Sequence, residues 1–122
     1  MTETLALRGA TTADANTPEA ILDATEELLK GLVAANGLAE ADIVAVFFTT
    51  TSDLNAEFPA KAARVRLGWS TTALMDSQEI PVPGAPESVI RILMLVNSDR
   101  GKDNLRFVYL RGASGLRLPA DG

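Results

Sequence analysis

The sequence predicts an α+β fold: a mixed β-sheet with one long and one short helix packed on one face. Three observations predict it. A single helix-period stripe of apolar residues runs from Ile21 to Val33 between clear start and stop signals. Five short segments have strand character and are too brief for helices. The elements follow one another as β-α-β-α-β-β-β, with no repeat, linker or low-complexity stretch between them. At 122 residues the chain reads as one domain over 1–122, with a short tail from about 116 to 122.

The first strand is Leu5-Ala6-Leu7-Arg8, whose alternation sets Ala6 and Arg8 on one face and Leu5 and Leu7 on the other. Gly9 and the polar Thr11-Thr12 are expected to end it. Thr17-Pro18 then supplies an N-cap and a first helical proline, and Glu19 suits the positive end of the helix dipole. Ile21, Ala24, Thr25, Leu28, Leu29, Leu32 and Val33 form the buried stripe, and Asn36-Gly37 is a C-cap signal. This helix has a structural role. Ile43-Val44-Ala45-Val46-Phe47-Phe48 reads as a strand buried on both sides, running into a polar loop, Thr49-Thr50-Thr51-Ser52-Asp53.

A short helix starts near Phe58-Pro59 and includes Ala60 to Val65, so that Lys61 and Arg64, three apart, share a face. Taken alone, that face is a solvated basic surface. Trp69 to Met75 is a short strand by weak pattern, and the prolines of Gln78-Glu79-Ile80-Pro81-Val82-Pro83-Gly84 require a loop. The strand Val89 to Val96 follows, then a polar turn over 97–104. Leu105-Arg106-Phe107-Val108-Tyr109-Leu110 is a further strand, and Ser114 to Pro119 holds one more short pairing segment.

Arg91 interrupts Val89-Ile90-Arg91-Ile92-Leu93-Met94-Leu95-Val96, an otherwise wholly apolar run that reads as a strand covered on both faces. A guanidinium there costs several kcal/mol unless an anion and full hydrogen bonding offset it, and arginine does not escape by losing its proton. Arg91 is therefore either half of an internal ion pair or a socket for an anionic ligand. Composition narrows the chemistry. The net charge of −5 argues against nucleic acid or an anionic membrane as partner, so an anionic ligand needs a local positive pocket. There is no histidine and no cysteine. The usual general base near neutral pH, the thiol nucleophile and the main soft-metal ligands are all missing, and a reaction run by this chain should need little proton transfer.

No phosphate-binding glycine loop is present, and the carboxylates do not cluster at metal spacing. Asp76 and Glu79, three apart in a proline-rich stretch, make a weak acid–base pair, and no base accompanies the serines and threonines. The start of the chain lacks the basic and apolar regions of a signal peptide, and Ile43 to Phe48 is far too short to span a bilayer. A cytoplasmic location is the default expectation.

Five fragments stand in order: Leu7-Arg8-Gly9-Ala10-Thr11-Thr12, Phe58-Pro59-Ala60-Lys61-Ala62-Ala63-Arg64, Gln78-Glu79, Val89-Ile90-Arg91 and Val108-Tyr109-Leu110. Together they resemble the monofunctional AroH-type chorismate mutases, over nearly the whole chain. The resemblance implies a homotrimeric, pseudo α/β-barrel assembly with pockets between subunits, no cofactor and no metal. It also implies conversion of chorismate to prephenate, a pericyclic step in phenylalanine and tyrosine biosynthesis by the shikimate pathway. Carried onto this sequence, Arg91 would donate to the breaking ether oxygen. Arg8 with Tyr109 would hold the enolpyruvyl carboxylate, and Glu79 would accept from the ring hydroxyl and orient Arg91. Phe58 would pack on the substrate with Met75 and Asp76 nearby, Lys61, Arg64 and Arg117 would supply positive charge at the ring carboxylate and mouth, and Leu116 would form an apolar wall. Asp76 stands where the family carries a small thiol or hydroxyl residue, and is expected to make a tolerated polar contact. Arg117-Leu118-Pro119 departs from the family's Arg-Pro, which puts closure of the pocket by the tail in doubt. Two other functions share the feature of an interface arginine: a non-catalytic trimer that senses a small carboxylate, and a Rid-type deaminase, whose arginine context differs.

Overall fold

The computed structural model describes residues 2–116. Five strands form one mixed sheet: β1 (Glu3–Thr12), β2 (Ile43–Thr50), β3 (Ala73–Gln78), β4 (Val89–Ser98) and β5 (Val108–Tyr109), in the order β3-β2-β4-β1-β5. β4 is antiparallel to both β1 and β2, whereas β3 runs parallel to β2 and β5 parallel to β1. The long helix α1 (Pro18–Asn36) is the one its end signals predict. The Thr17 hydroxyl accepts from the Ala20 N–H, and Gly37 takes the left-handed conformation, φ 61°, as its backbone N–H reaches back to the Val33 carbonyl.

α1 lies on one face of the sheet. Leu28, Leu29 and Leu32 are buried there, against Leu5 and Leu7 of β1, Val46 and Phe48 of β2, and Ile92, Met94 and Val96 of β4, while Ile21 and Ala24 pack with Ala13, Leu54 and Ile90. A short helical stretch near residue 60 packs on the same side, with Ala62 and Ala63 in the core. Its last turn is wound as a π-helix over Ala62–Arg66. No described helix is long and apolar enough to cross a membrane.

The opposite face is where expectation and structure part. β2 and β4 were predicted to be covered on both sides, yet Phe47 and Leu93, with Met75 of β3 beside them, are exposed on the face away from α1. Among the described residues, no element covers this surface. An apolar run therefore signals two faces shielded from water without saying that the same chain shields both.

Element boundaries also differ, and β3 spans Ala73–Gln78 where Trp69–Met75 was expected. β1 continues through Gly9 to Thr12, because α1 presses onto it at Gly9: a Cβ there would sit 3.1 Å from Leu28 Cδ1, Leu32 Cδ1 and the Val108 carbonyl oxygen. The glycine permits a close approach and does not end the strand. The strand expected over 105–110 reduces to Val108 and Tyr109. Buried Asn36 explains this: its side chain accepts from the Arg106 N–H at 2.8 Å and donates to the Arg106 carbonyl at 2.9 Å, taking the place of a neighbouring strand. Up to Leu116 the chain after β5 forms a 3-10 turn, Arg111–Ala113, and a further turn, with no strand; Arg117 and the rest of the tail lie outside the described residues.

Candidate active site

The register of the sheet collects the predicted residues on the open face. One row crosses all five strands: Ser77 of β3, Thr49 of β2, Arg91 of β4, Ala10 of β1 and Tyr109 of β5. The next row holds Met75, Phe47, Leu93 and Arg8. Arg8, Arg91 and Tyr109 therefore come from three strands that are distant in sequence and adjacent in space. Alternation forces them onto one side, and that side is opposite α1.

Glu79 joins this row from the first residue after β3. Its backbone N–H donates to the Thr50 carbonyl at 2.9 Å, which continues the β3–β2 pairing by one bond and fixes where its side chain begins. The carboxylate accepts from Arg91 Nε at 2.9 and 3.2 Å and from the Thr49 hydroxyl at 2.7 Å. The Arg91 side chain is 36% exposed and that of Glu79 is 19% exposed. The structure bears out the ion-pair reading of Arg91 and leaves room for the other: its Nε belongs to an internal ion pair, its two terminal amino groups have no partner among the described residues, and the residue lines a groove. Residues 79–87, Thr51, Asp53 and Arg91 line that groove, which holds about 240 Å³. Held by one edge, the guanidinium is pre-aimed by its own protein and keeps its outer donors available.

Arg8 is exposed with no partner among the described residues, and the Tyr109 hydroxyl is buried with none. A buried hydroxyl left without a hydrogen bond is costly and marks a place where a ligand or neighbouring group is missing.

The other predicted residues lie apart. Phe58 is 66% exposed and lines a second groove with Thr50, Leu54, Pro59, Asp76 and Gln78. Lys61 pairs with Glu57 at 3.1 Å, and Arg64 stands exposed on the same helical stretch. Among the described residues Arg64 has no ion pair, though its charge reaches Glu57 and Asp76. The Glu57 carboxyl is held below its ordinary pKa first by the Phe58 backbone N–H and then by Lys61. Asp76 pairs with buried Phe48, so its side chain points to the helix side of the sheet, opposite to Arg91, where it accepts from the Ala60 N–H at 3.0 Å. Burial raises the Asp76 pKa, and the Ala60 hydrogen bond and the Arg64 charge oppose that rise. Leu116, the last described residue, is partly buried, and its N–H donates to the Ala113 carbonyl. One chain thus holds two separate groups of charged and aromatic residues, one around Arg91 and one around Phe58.

Sequence reasoning missed Thr49, the third partner of the ion pair. It was read as loop because threonine and serine follow without a break. Extending the alternation of β2 two residues beyond Phe47 would have placed it on the Arg91 face. Thr51 and Asp53, at the groove wall, carried no comparable signal.

A guanidinium held by one edge beside a groove, in a chain with no histidine or cysteine, has the chemistry of an anion site without the usual proton-relaying groups. Comparison with known proteins gives the class a family. The family model for chorismate mutase type I matches residues 4–119. The chain is 47% identical over 112 residues to the chorismate mutase AroH of Thermus thermophilus, covering 91% of each. It is 39% identical over 111 residues to chorismate mutase AroH of Bacillus subtilis, covering 91% of this chain and 87% of that protein. A solved chorismate mutase from Clostridium thermocellum superposes with a TM-score of 0.87 at 50% identity, covering 89% of this chain and 96% of that one. The chain belongs to the type I chorismate mutase family. It is an isomerase that converts chorismate to prephenate, and nothing in the comparisons favours a non-catalytic sensor or a deaminase.

Proposed function

We propose that catalysis rests on Arg91 as a preorganised donor to the ether oxygen of chorismate, within a pocket completed by a second subunit. In the rearrangement one C–O bond breaks while one C–C bond forms, and six electrons move around a ring. No proton is transferred and no covalent intermediate arises, so the lack of histidine and cysteine takes nothing away. The tasks left to the protein are to hold a flexible dianion in a compact conformer and to stabilise the oxygen as it gains charge. A donor that strengthens its bond only as that charge grows lowers the barrier and not merely the binding energy.

The observation that carries this reading is the Glu79–Arg91 bond through Nε, which leaves the terminal amino groups without a partner among the described residues, on a side chain that lines the groove. Glu79 has a second role as acceptor for the ring hydroxyl. Arg8 and Tyr109, one on the next row and one on the Arg91 row, hold the enolpyruvyl carboxylate, which would give the orphaned Tyr109 hydroxyl its partner. Phe58, Lys61, Arg64, Met75 and Asp76 complete the pocket from a neighbouring subunit, with Leu116 and Arg117 at its mouth.

A homotrimer supports this division of labour physically. The uncovered Phe47, Met75 and Leu93 form an apolar surface of the kind that soluble chains bury against a partner. The same packing brings Phe58 and Arg64 of one chain to Arg91 of the next, and cations from two chains then converge despite a net charge of −5 on each. The product feeds phenylalanine and tyrosine synthesis, for which a cytoplasmic location is natural. The test is to follow chorismate consumption and prephenate formation by the purified protein while sedimentation reports its assembly. A fully active monomer would defeat the shared pocket.

A further inference from the structure

Glu79 and Arg91 flank a proline-rich loop, residues 80–88, and both ends of that loop are tied to the same short stretch after β2. At its start, the Thr50 carbonyl takes the Glu79 N–H. At its end, the Thr51 hydroxyl accepts from the Val89 N–H at 3.0 Å, and the Thr51 N–H donates to the Val89 carbonyl at 3.0 Å. Between these two ties stands Ser88, with φ 58°, in the left-handed region. A residue with a Cβ enters that region at roughly a tenfold penalty in population. Ser88 has one strong local counterweight. Its N–H and its hydroxyl both donate to Asp53 Oδ2, at 2.9 and 3.0 Å. Its carbonyl, turned the other way, accepts from the Ala13 N–H at 3.0 Å.

We infer that Asp53 is a positioning residue for the Glu79–Arg91 pair. By holding Ser88 left-handed, it fixes the direction in which the chain enters β4, three residues before Arg91, and closes the loop so that Glu79 stays opposite the arginine. The hydrogen bonds from Thr51, first, and from Ser88 lower the Asp53 pKa, so the clamp is charged at neutral pH. Asp53 also lines the groove beside Arg91 and Glu79, yet it belongs to none of the sequence fragments that suggested the site. This inference rests on the role proposed above for that pair.

Loss of the carboxylate lets Ser88 relax toward ordinary φ, and the ends of the loop shift relative to each other. A misplacement of about 1 Å is enough to weaken a preorganised donor. Asp53→Ala should therefore lower kcat about tenfold while KM stays within about twofold, because alignment is lost and not capture. Asp53→Asn keeps an acceptor oxygen for Ser88 and should stay near wild type. Glycine adopts the left-handed conformation without help, so Ser88→Gly alone should be near wild type and should restore most of the kcat lost in Asp53→Ala when the two are combined. Rescue by a backbone change distinguishes positioning from direct contact with substrate, and thermal melts of all four variants separate it from loss of fold.

Wild-type kcat in Asp53→Ala overturns the inference. So does a folded Asp53→Ala/Ser88→Gly chain that stays as slow as Asp53→Ala, or failure of every Asp53 variant to fold, which would make the clamp a general stability element. Arg91→Ala serves as the control. If it turns over normally, the reading of the site itself fails. If it is inactive while Asp53→Ala is not, only the positioning role falls.

Discussion

Arg91→Lys keeps the charge and removes the geometry, and the structure gives the size of the loss. Arg91 uses one edge of its guanidinium, Nε, on the Glu79 carboxylate at 2.9 and 3.2 Å, and its two outer amino groups have no partner among the described residues. A lysine has one ammonium. It settles on the same carboxylate, which the Thr49 hydroxyl already fixes at 2.7 Å, and no second donor then points at the groove. The variant loses a preorganised hydrogen bond to a developing oxyanion, worth ~3–4 kcal/mol, so kcat should fall by roughly two to three decades. Stability should change little, because the side chain is 36% exposed and packs into no core. The assay is continuous loss of chorismate at saturating substrate, paired with a thermal melt. A kcat within about tenfold of wild type would refute the ether-oxygen role, since a point charge would then suffice.

Other expectations test separate links. Arg64→Ala should raise KM about tenfold or more with a smaller change in kcat, as befits loss of a charge-assisted contact to a ground-state carboxylate. Unchanged KM would remove Arg64 from the site. Mixing Arg91→Ala chains with Arg64→Glu chains after unfolding should regain activity in about a quarter of the sites at limiting chorismate, since each shared site draws on two chains; no recovery would argue for pockets built within one subunit. Gly9→Ala should cost about 1–3 kcal/mol in a denaturant melt, because the added methyl meets the Val108 carbonyl oxygen and two helix leucines at 3.1 Å; an unchanged midpoint would show that α1 can withdraw freely. Burial raises the Asp76 pKa, so the stability linked to its neutral form is present below the ordinary carboxylate range and lost as pH rises through the raised value. Asp76→Asn is neutral throughout and keeps an acceptor for the Ala60 N–H. It should melt higher than wild type at neutral pH, with the gain vanishing in acid; an equal gain at both pH values would mean that ionisation of Asp76 costs nothing.

How much of this was legible in the sequence depends on whether a signal is local. α1 was readable from end to end because Thr17-Pro18 and Asn36-Gly37 act within a single turn of backbone. The order of elements, with its five strand segments, followed from periodicity, and Arg91 stood out because a cation in an apolar strand demands a reason. What failed was everything set by a partner far along the chain. Gly9 looks like a stop until Leu28 and Leu32 are seen above it. The strand over 105–110 is cut short by the Asn36 side chain, 70 residues away from Arg106 in sequence. Asp76 was expected near Glu79, and in one chain it is not. Asp76 points away because strand alternation, fixed by its pairing with Phe48, turns it to the helix side. Thr49 lay within reach of the β2 alternation but reads as loop in a run of threonines, and Asp53 gives no warning until its bond to Ser88 is known.

The most direct test is a crystal structure of the assembled protein with a dianionic mimic of the transition state, solved at a resolution that places the mimic's ether oxygen. That oxygen should lie about 2.7–3.1 Å from a terminal nitrogen of Arg91, with Nε still on Glu79 and Phe58 of an adjacent subunit against the ring. A mimic bound elsewhere, with Arg91 engaged by Glu79 alone, would contradict the account.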